Sequence, residues 1–247
     1  MRLLITNDDG IEGAGLIELA RSLSVDHEVW VVAPDKNRSA ISNAITMNDP
    51  LKICKKKEWW YTCSGAPVDC VVSGLRCILP APPDAVLSGI NKGANLGTDV
   101  VYSGTCAGAR QATISGFPGI ALSIEKYQEK GRWNFKPLAD FVAKNLPSLI
   151  TLCGPDVFVN INAPSADSYL GWRMTRLSRR TYHNTINTFR APDGSTYTFF
   201  KGGYVSTEGD SDCDFAAVSQ GLISISRIHA QPRDADDMKE KGLKLSL

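Results

Sequence analysis

Runs of consecutive apolar residues alternate with helical periodicity along most of the chain. Residues 3–5 and 29–33 are apolar at every position, which is typical of strands covered on both faces in a parallel sheet. The segment between them has apolar residues at the spacing of one helix face: Leu16, Leu19, Ala20 and Leu23. A strand, a helix and a strand in this order predict a βαβ unit.

The same alternation continues beyond this unit. Apolar runs predict strands at residues 84–89, 119–124, 157–162 and 221–226, and the periodicity predicts helices at residues 105–114 and 135–150. We expect Pro147 to kink or frame the last turn of the second helix. The charged tail from Gln231 is a candidate helix. Strands that alternate with helices predict an α/β fold with a mostly parallel sheet.

A change of composition marks the C-terminal part of the chain. Residues 181–200 are rich in Thr, Tyr and Phe and are split by Asp193-Gly194, a dipeptide preferred in two-residue hairpin turns. We therefore predict a projecting β-hairpin at about residues 181–201 and an arm at about residues 227–247. No linker is long enough to separate two domains, so residues 1–247 are predicted to form one α/β domain with this extension.

Charge and cysteine content exclude several classes of protein. Lys plus Arg number 27 and Asp plus Glu 26, a formal net charge of +1, which argues against a nucleic-acid or membrane-surface partner. No apolar run approaches the ~18 residues of a membrane span. The seven cysteines form no CxxC pair, and the N-terminus lacks the apolar stretch of a signal peptide. We therefore expect reduced thiols and a cytoplasmic protein.

Two adjacent carboxylates, Asp8 and Asp9, follow the first predicted strand. Ligands of open α/β sheets bind at the carboxyl ends of strands. Adjacent carboxylates repel each other unless a cation or several donors neutralise them, and their oxygens suit Mg²⁺ or Mn²⁺. The alternative is a solvated turn whose aspartate caps the next helix. Residues 34–39, after the second strand, could add the Ser39 hydroxyl to a metal site, or could be a polar loop.

Residues 88–99 form a loop rich in glycine and asparagine after another predicted strand. Glycine allows close approach of the backbone to a ligand, and the amides of Asn91 and Asn95 supply neutral oxygen and nitrogen. Ser103-Gly104-Thr105 then opens a helix, whose backbone N–H groups can hold a phosphate; the alternative is a flexible loop with an ordinary N-cap. The chain contains no P-loop, GxGxxG, HExxH or GxSxG motif.

Taken together, these segments resemble the SurE (survival protein E) family of nucleotidases over nearly the whole chain. The matching motifs are Asn7-Asp8-Asp9-Gly10, Val32-Ala33-Pro34-Asp35 with Asn37-Arg38-Ser39, Pro67-Val68-Asp69-Cys70-Val71, Ser88-Gly89-Ile90-Asn91 with Gly93, Asn95 and Gly97, Tyr102-Ser103-Gly104-Thr105, Asn160-Ile161-Asn162-Ala163-Pro164, and residues 212–226. The resemblance implies a Rossmann-like three-layer core. It also implies a homodimer or homotetramer in which the C-terminal hairpin and arm are exchanged.

The resemblance further implies a metal-dependent phosphatase acting on nucleoside 5′- and 3′-monophosphates, and in some members on short polyphosphate. It assigns one divalent cation per subunit, Mg²⁺ or Mn²⁺, to Asp8, Asp9, Ser39 and Asn91, with Asp8 and Asp9 catalytic. It places Asn95, Ser103, Gly104 and Thr105 around the phosphate. The chain departs from the usual family pattern at Ala66, at Gln111-Ala112 and at Ser226-Arg227.

The leading hypothesis is hydrolysis of a nucleoside monophosphate by a metal-activated water. A metal-dependent nucleotide-binding sensor without turnover is a second hypothesis. A third is an interaction protein that uses the hairpin and a basic cluster formed by Arg173, Arg176, Arg179 and Arg180.

Overall fold

The computed structural model describes residues 1–126 and 132–233, with only the backbone of Lys201. Its strands are β1 (Arg2–Thr6), β2 (Glu28–Pro34), β3 (Ile53–Lys57), β4 (Trp60–Cys63), β5 (Ala85–Lys92), β6 (Gly119–Glu125), β7 (Val157–Pro164), β8 (Trp172–Met174), β9 (Arg179–Arg190), β10 (Thr196–Glu208) and β11 (Ile223–His229). Its α-helices are α1 (Ala14–Leu23), α2 (Pro67–Ser73), α3 (Gly104–Ile114), α4 (Lys136–Thr151) and α5 (Asp214–Ser219). A π-helical turn spans Gly74–Ile78 and a 3₁₀ turn spans Gly97–Val101.

Nine strands form one sheet in the order β3-β4-β2-β1-β5-β6-β7-β11-β8. The pairs that β1 makes with β2 and with β5 are parallel; β3–β4 and β7–β11 are antiparallel. The mostly parallel sheet predicted from the apolar runs is therefore confirmed. The chain leaves β1 through α1 to β2 on one side, and β5 lies on the other side, which makes the carboxyl end of β1 a topological switch point.

Helices cover both faces of this sheet. Leu16 of α1 and Leu138 of α4 belong to a core cluster on one face. Val71 of α2 and Ala112 of α3 belong to a second cluster with Val32 of β2. The alternating side chains of the central strands enter the two clusters in turn, so these strands are apolar at every position. The expected three-layer α/β/α core is confirmed, and α4 runs on through Pro147 to its end at Thr151.

Strands β9 and β10 form a separate two-stranded antiparallel ribbon. The ribbon extends beyond the predicted residues 181–201 at both ends. The prediction of a two-residue turn is wrong, because Ala191 N–H donates to Ser195 O at 2.8 Å and leaves three residues in the loop. Pro192 suits the second position of a type I turn, and Gly194, with φ +87°, supplies the left-handed residue that follows it.

Other expectations concern the end of the chain, the thiols and the membrane. Residues 227–229 of the expected arm belong to β11, and the part of the arm from residue 234, with most of the candidate tail helix, lies outside the described residues. All seven cysteines are unpaired. Within the described ranges, no helix has the length and apolarity needed to cross a membrane.

Candidate active site

A cleft of about 530 Å³ opens where β1 and β5 end. Of the residues expected at the site, it brings together Asp8, Ser39, Asn91, Asn95 and Ser103. The cleft lining is completed by Ala40, Lys92, Gly93, Ala94, Asp99, Tyr102, Tyr182 and Asn184. Asp9, Gly104 and Thr105 are not among the residues that line the cleft, but each is next in sequence to one that does or is bonded to one.

Asp8 is a buried carboxylate held by helix α3. Asp8 is only 4% exposed, and Thr105 Oγ1 donates a hydrogen bond of 2.6 Å to Asp8 Oδ1. Burial raises the pKa of Asp8 to about 6, and the charge of Asp9 adds to the effect while the Thr105 hydroxyl opposes it. A burial penalty of this kind is relieved by a bound cation.

Asp9 follows Asp8 in a tight turn that ends at Gly10. Asn7 closes the turn, since its Nδ2 donates to Gly10 O at 2.9 Å and Gly10, at φ +98°, adopts a conformation that favours glycine. Burial raises the pKa of Asp9, and its Oδ2 accepts from Lys92 N–H at 3.4 Å. Helix α1 has Gly13 as N-cap and no side-chain cap, so the alternative that one of these aspartates caps it is excluded.

A bulge near the end of β5 places Asn91 at the cleft. The pairing with β6 shifts register between Ser88 and Asn91. Gly89 lies at φ +134°, and a Cβ there would come within 2.3 Å of Leu122 O, so the bulge requires glycine. Asn91 Nδ2 donates to Gly93 O at 2.8 Å, which leaves Oδ1 as the side chain's acceptor.

Ser39 is supplied by the exposed loop after β2. Arg38 N–H donates to Asp8 O at 2.7 Å, and Ser39 N–H donates to Asn37 Oδ1 at 2.9 Å. The first bond joins the loop to the turn that carries the two carboxylates, the second holds the loop itself, and Ser39 lines the cleft.

The oxygen atoms gathered here match a hard divalent cation. Asp8, Asp9, Ser39 and Asn91 offer carboxylate, hydroxyl and amide oxygens, the donor set suited to Mg²⁺ or Mn²⁺. Across the part of the chain that the structure describes, no group of three or more His, Cys, Asp and Glu side chains is placed to hold a metal. A metal site here therefore depends on the neutral oxygens as well as on the two carboxylates.

The N-terminus of α3 forms the adjoining wall of the cleft. Ser103 is its N-cap, and its Oγ accepts from Cys106 N–H at 3.0 Å. A Cβ on Gly104 would lie 2.9 Å from Asp8 Cβ, so the helix packs directly against the carboxylate. Thr105 is fully buried and gives its hydroxyl to Asp8. The first turn of α3 thus directs backbone N–H groups towards the edge of the sheet that carries Asp8.

A buried network of amides fixes the backbone at Asn95. Its N–H donates to Asn162 Oδ1 at 2.8 Å, and its carbonyl accepts from Asn160 Nδ2 at 2.9 Å. Its own Nδ2 donates one hydrogen to Ser123 Oγ at 2.7 Å, which leaves the second hydrogen available. Asn160 and Asn162 are fully buried. They support the cleft from β7, a role that the sequence analysis did not assign to them.

Asp99 joins the cleft to the hairpin. This role of Asp99 was not predicted from the sequence. Arg180 Nη1 and Tyr182 OH each donate to its carboxylate at 2.5 Å. Burial raises the pKa of Asp99 despite these contacts, and burial together with Asp99 raises the pKa of Tyr182 to about 12. The only signal in the sequence was Arg180, a member of the basic cluster.

Asp214 joins the glycine-rich loop to the segment that precedes the hairpin. This fully buried carboxylate accepts from the backbone N–H groups of Gly97 at 2.7 Å, Ser178 at 2.9 Å and Phe215 at 2.8 Å. A Cβ on Gly97 would lie 2.2 Å from Ser178 O, so the glycine loop and the root of the hairpin are in direct contact.

Comparison with known proteins identifies the family. The family model described as "Survival protein SurE" matches residues 3–184. The chain belongs to the SurE family. It is 40% identical over 242 residues to the 5′-nucleotidase SurE of Pelotomaculum thermopropionicum, covering 93% of this chain and 89% of that protein. It is 39% identical over 239 residues to the 5′-nucleotidase SurE of Thermosipho melanesiensis, covering 92% and 91%.

A solved structure agrees with this assignment. The crystal structure of the SurE protein from Aquifex aeolicus superposes with a TM-score of 0.78 at 32% identity, covering 98% of this chain and 96% of that one. The three-layer fold described above is therefore that of a SurE protein along nearly its full length.

Ala66, one of the expected departures from the usual family pattern, has a visible local consequence. Ala66 is the N-cap of α2, and its N–H donates to Asp69 Oδ2 at 2.8 Å. Asp69 also accepts from the N–H of Thr46 at 2.9 Å. Because alanine has no side-chain acceptor, α2 lacks the reciprocal half of a capping box.

Proposed function

We propose that this SurE chain is a 5′-nucleotidase, a metal-dependent phosphatase that hydrolyses nucleoside 5′-monophosphates. The observation that carries the proposal is the convergence of Asp8, Asn91 and Ser103 in one cleft of a chain similar over its length to proteins named 5′-nucleotidase SurE. A carboxylate beside a helix N-terminus provides both a cation site and a phosphate site.

In this proposal Asp8, Asp9, Ser39 and Asn91 hold one divalent cation, Mg²⁺ or Mn²⁺. Bound there, the cation would polarise a phosphate oxygen and lower the pKa of a water. The hydrogen bond from Thr105 to Asp8 Oδ1 keeps that carboxylate fixed, with Oδ2 left for the cation. The acceptor Oδ1 of Asn91 is fixed in the same way by the bond from its Nδ2 to Gly93 O.

The phosphate would lie against the first turn of α3. The Ser103 side chain and the backbone N–H of Gly104 would face its oxygens, and the remaining Nδ2 hydrogen of Asn95 would face another. Thr105, whose hydroxyl and backbone N–H both bond to the Asp8 carboxylate, would lie at the base of the phosphate site. These donors are held in place before substrate binds, so they stabilise charge as it develops without reorganising. A water would then attack the phosphorus while the bond from phosphorus to the ester oxygen of the nucleoside breaks. Asp8 or Asp9 would accept the proton of the water, and the leaving nucleoside oxygen would take up a proton from solvent.

The test is phosphate release from a panel of nucleoside 5′- and 3′-monophosphates and short polyphosphate, first with EDTA and then with added Mg²⁺ or Mn²⁺. We expect multiple turnovers with a nucleoside 5′-monophosphate only when metal is present. Nucleotide binding without steady release of phosphate would contradict the proposal and would indicate the sensor instead.

We also propose that the chain acts as a cytoplasmic homodimer or homotetramer through the hairpin and the arm. The seven cysteines form no disulfide, which supports the proposed cytoplasmic location. The two-stranded ribbon exposes Ile186, Phe189, Phe199 and Phe200, and such a ribbon is marginally stable alone. The molar mass in solution should therefore be twice or four times that of the chain; a monomer would contradict this.

A further inference from the structure

Two tyrosine rings line the cleft beside the proposed phosphate site. Tyr102 is 58% exposed and directly precedes Ser103, the N-cap of α3. Tyr182 is 46% exposed and enters the same cleft from β9, with Asn184 two residues further on. The proposed metal and phosphate sites use neither ring.

Both tyrosines are bonded to Asp99. Tyr182 OH donates to Asp99 Oδ1 at 2.5 Å, and Tyr102 N–H donates to Asp99 O at 2.9 Å. Arg180 holds the other carboxylate oxygen of Asp99 at 2.5 Å, and its own N–H donates to Thr98 Oγ1 at 2.9 Å. The ion pair is well shielded, since the two side chains are only 13% and 10% exposed.

The bond from its hydroxyl to Asp99 fixes the Tyr182 ring, which stays partly exposed in the cleft. At Tyr102 the bonds fix the backbone on both sides, since Ser42 N–H donates to Tyr102 O at 3.0 Å. A ring fixed in advance loses little conformational entropy when it binds a ligand, which favours affinity. Aromatic faces bind nucleobases by stacking and tolerate different bases, because every base has a π face.

We propose that Tyr102 and Tyr182 form the subsite for the base of the nucleotide, and that Asp99 and Arg180 are positioning residues for Tyr182. The subsite rests on the proposed nucleotidase function, whose phosphate is held by Ser103. Asn184 provides an amide at the edge of the same subsite, where it can bond to polar atoms of the base.

The experiment compares adenosine 5′-monophosphate with ribose 5-phosphate, which presents the same phosphate ester on a sugar without the base. For the wild-type protein, kcat/KM should favour the nucleotide by about tenfold or more. Tyr102→Ala and Tyr182→Ala should each reduce this preference by about fivefold or more, to a lower limit of no preference, mainly through KM, and leave kcat/KM for ribose 5-phosphate unchanged.

The matched control is Tyr197→Ala. Tyr197 lies on the same hairpin with a similar exposure of 52% but does not line the cleft, so its removal should leave the preference unchanged. Tyr102 makes no side-chain hydrogen bond with any residue that the structure describes, so Tyr102→Ala tests the subsite even if Tyr182→Ala fails to fold.

The positioning role is tested by Asp99→Asn and Tyr182→Phe. Both keep the two rings but weaken the anchoring of the ring at position 182, so each should raise KM for the nucleotide more than it lowers kcat. A merely structural role would lower kcat/KM for both substrates equally.

Either of two results would overturn the inference: a wild-type protein that hydrolyses both substrates equally well, or a preference unchanged in both alanine variants. Failure of the proposed function itself is distinguishable, because the wild-type protein would then release phosphate from neither substrate.

Discussion

Replacing Thr105 by valine removes one hydroxyl from the buried contact between α3 and Asp8. Valine has the shape of threonine and a similar helix propensity, so the change isolates the hydrogen bond of 2.6 Å to Asp8 Oδ1. Above the pKa of about 6 this bond is made to an ionised carboxylate. Loss of a hydrogen bond to a charged group costs about 1.5–3 kcal/mol, so Thr105→Val should lower the free energy of unfolding by that amount.

The same helix offers a matched control. Thr113 is also buried, at 4% exposed, but its Oγ1 has no hydrogen-bond partner within the described residues. Removing an unpaired buried hydroxyl relieves a desolvation cost, so Thr113→Val should leave stability unchanged or raise it by up to about 1 kcal/mol.

The assay is urea unfolding at pH 8 in EDTA, followed by far-ultraviolet circular dichroism. All three proteins are compared at one chain concentration, because association contributes to apparent stability. The unfolding midpoint should fall for Thr105→Val and not for Thr113→Val, with equal slopes. Equal midpoints for the two variants would refute the assignment of a stabilising bond to Thr105.

Three further changes test the site and its supports. Asp9→Asn should keep the wild-type unfolding midpoint and reduce phosphate release by orders of magnitude; turnover near the wild-type rate would contradict the metal site. Asp214→Ala leaves two buried N–H groups and a partly buried one without an acceptor and should lower the free energy of unfolding by at least about 3 kcal/mol, with Asp214→Asn intermediate; equal stability would show that water replaces the carboxylate. Ala66→Ser completes the cap with Asp69 and should raise the melting temperature by about 2–4 °C, or about 1 kcal/mol; an unchanged melting temperature would contradict the capping argument.

The central sheet could be predicted from the sequence because its strands are covered on both faces. The apolar runs at β1, β2, β5, β6, β7 and β11 identify strands that the structure contains. Strands β3, β4 and β8 were missed: β3 and β8 lie at the edges of the sheet, and β4, beside β3, has only four residues. The residues 55–57 at the end of β3 are all lysine, and β8 has only three residues, so neither shows the continuous apolar run of a central strand.

The predicted site residues gather because they follow neighbouring strands of one sheet. Asp8 lies two residues after the end of β1 and Asn91 one residue before the end of β5, and the parallel pairing of these strands brings both to the same edge. Asp99, Asn160 and Tyr182 could not be found in this way. Their places depend on contacts between segments more than 60 residues apart, such as the bond from Asn160 Nδ2 to Asn95 O, and a local pattern carries no information on such contacts.

The amide network and Asp214 also have a consequence for synthesis of the chain on the ribosome. The proposed metal and phosphate residues lie between Asp8 and Thr105, yet the loop that carries Asn95 is pinned by residues that are translated much later. At about 5–20 residues per second, an interval on the order of ten seconds separates Asn95 from Asp214. During that interval the N-terminal part of a nascent chain contains every proposed metal and phosphate ligand but lacks the partners that give the loop its shape. Capacity to bind nucleotide should therefore arise late, after the C-terminal third has left the ribosome and packed.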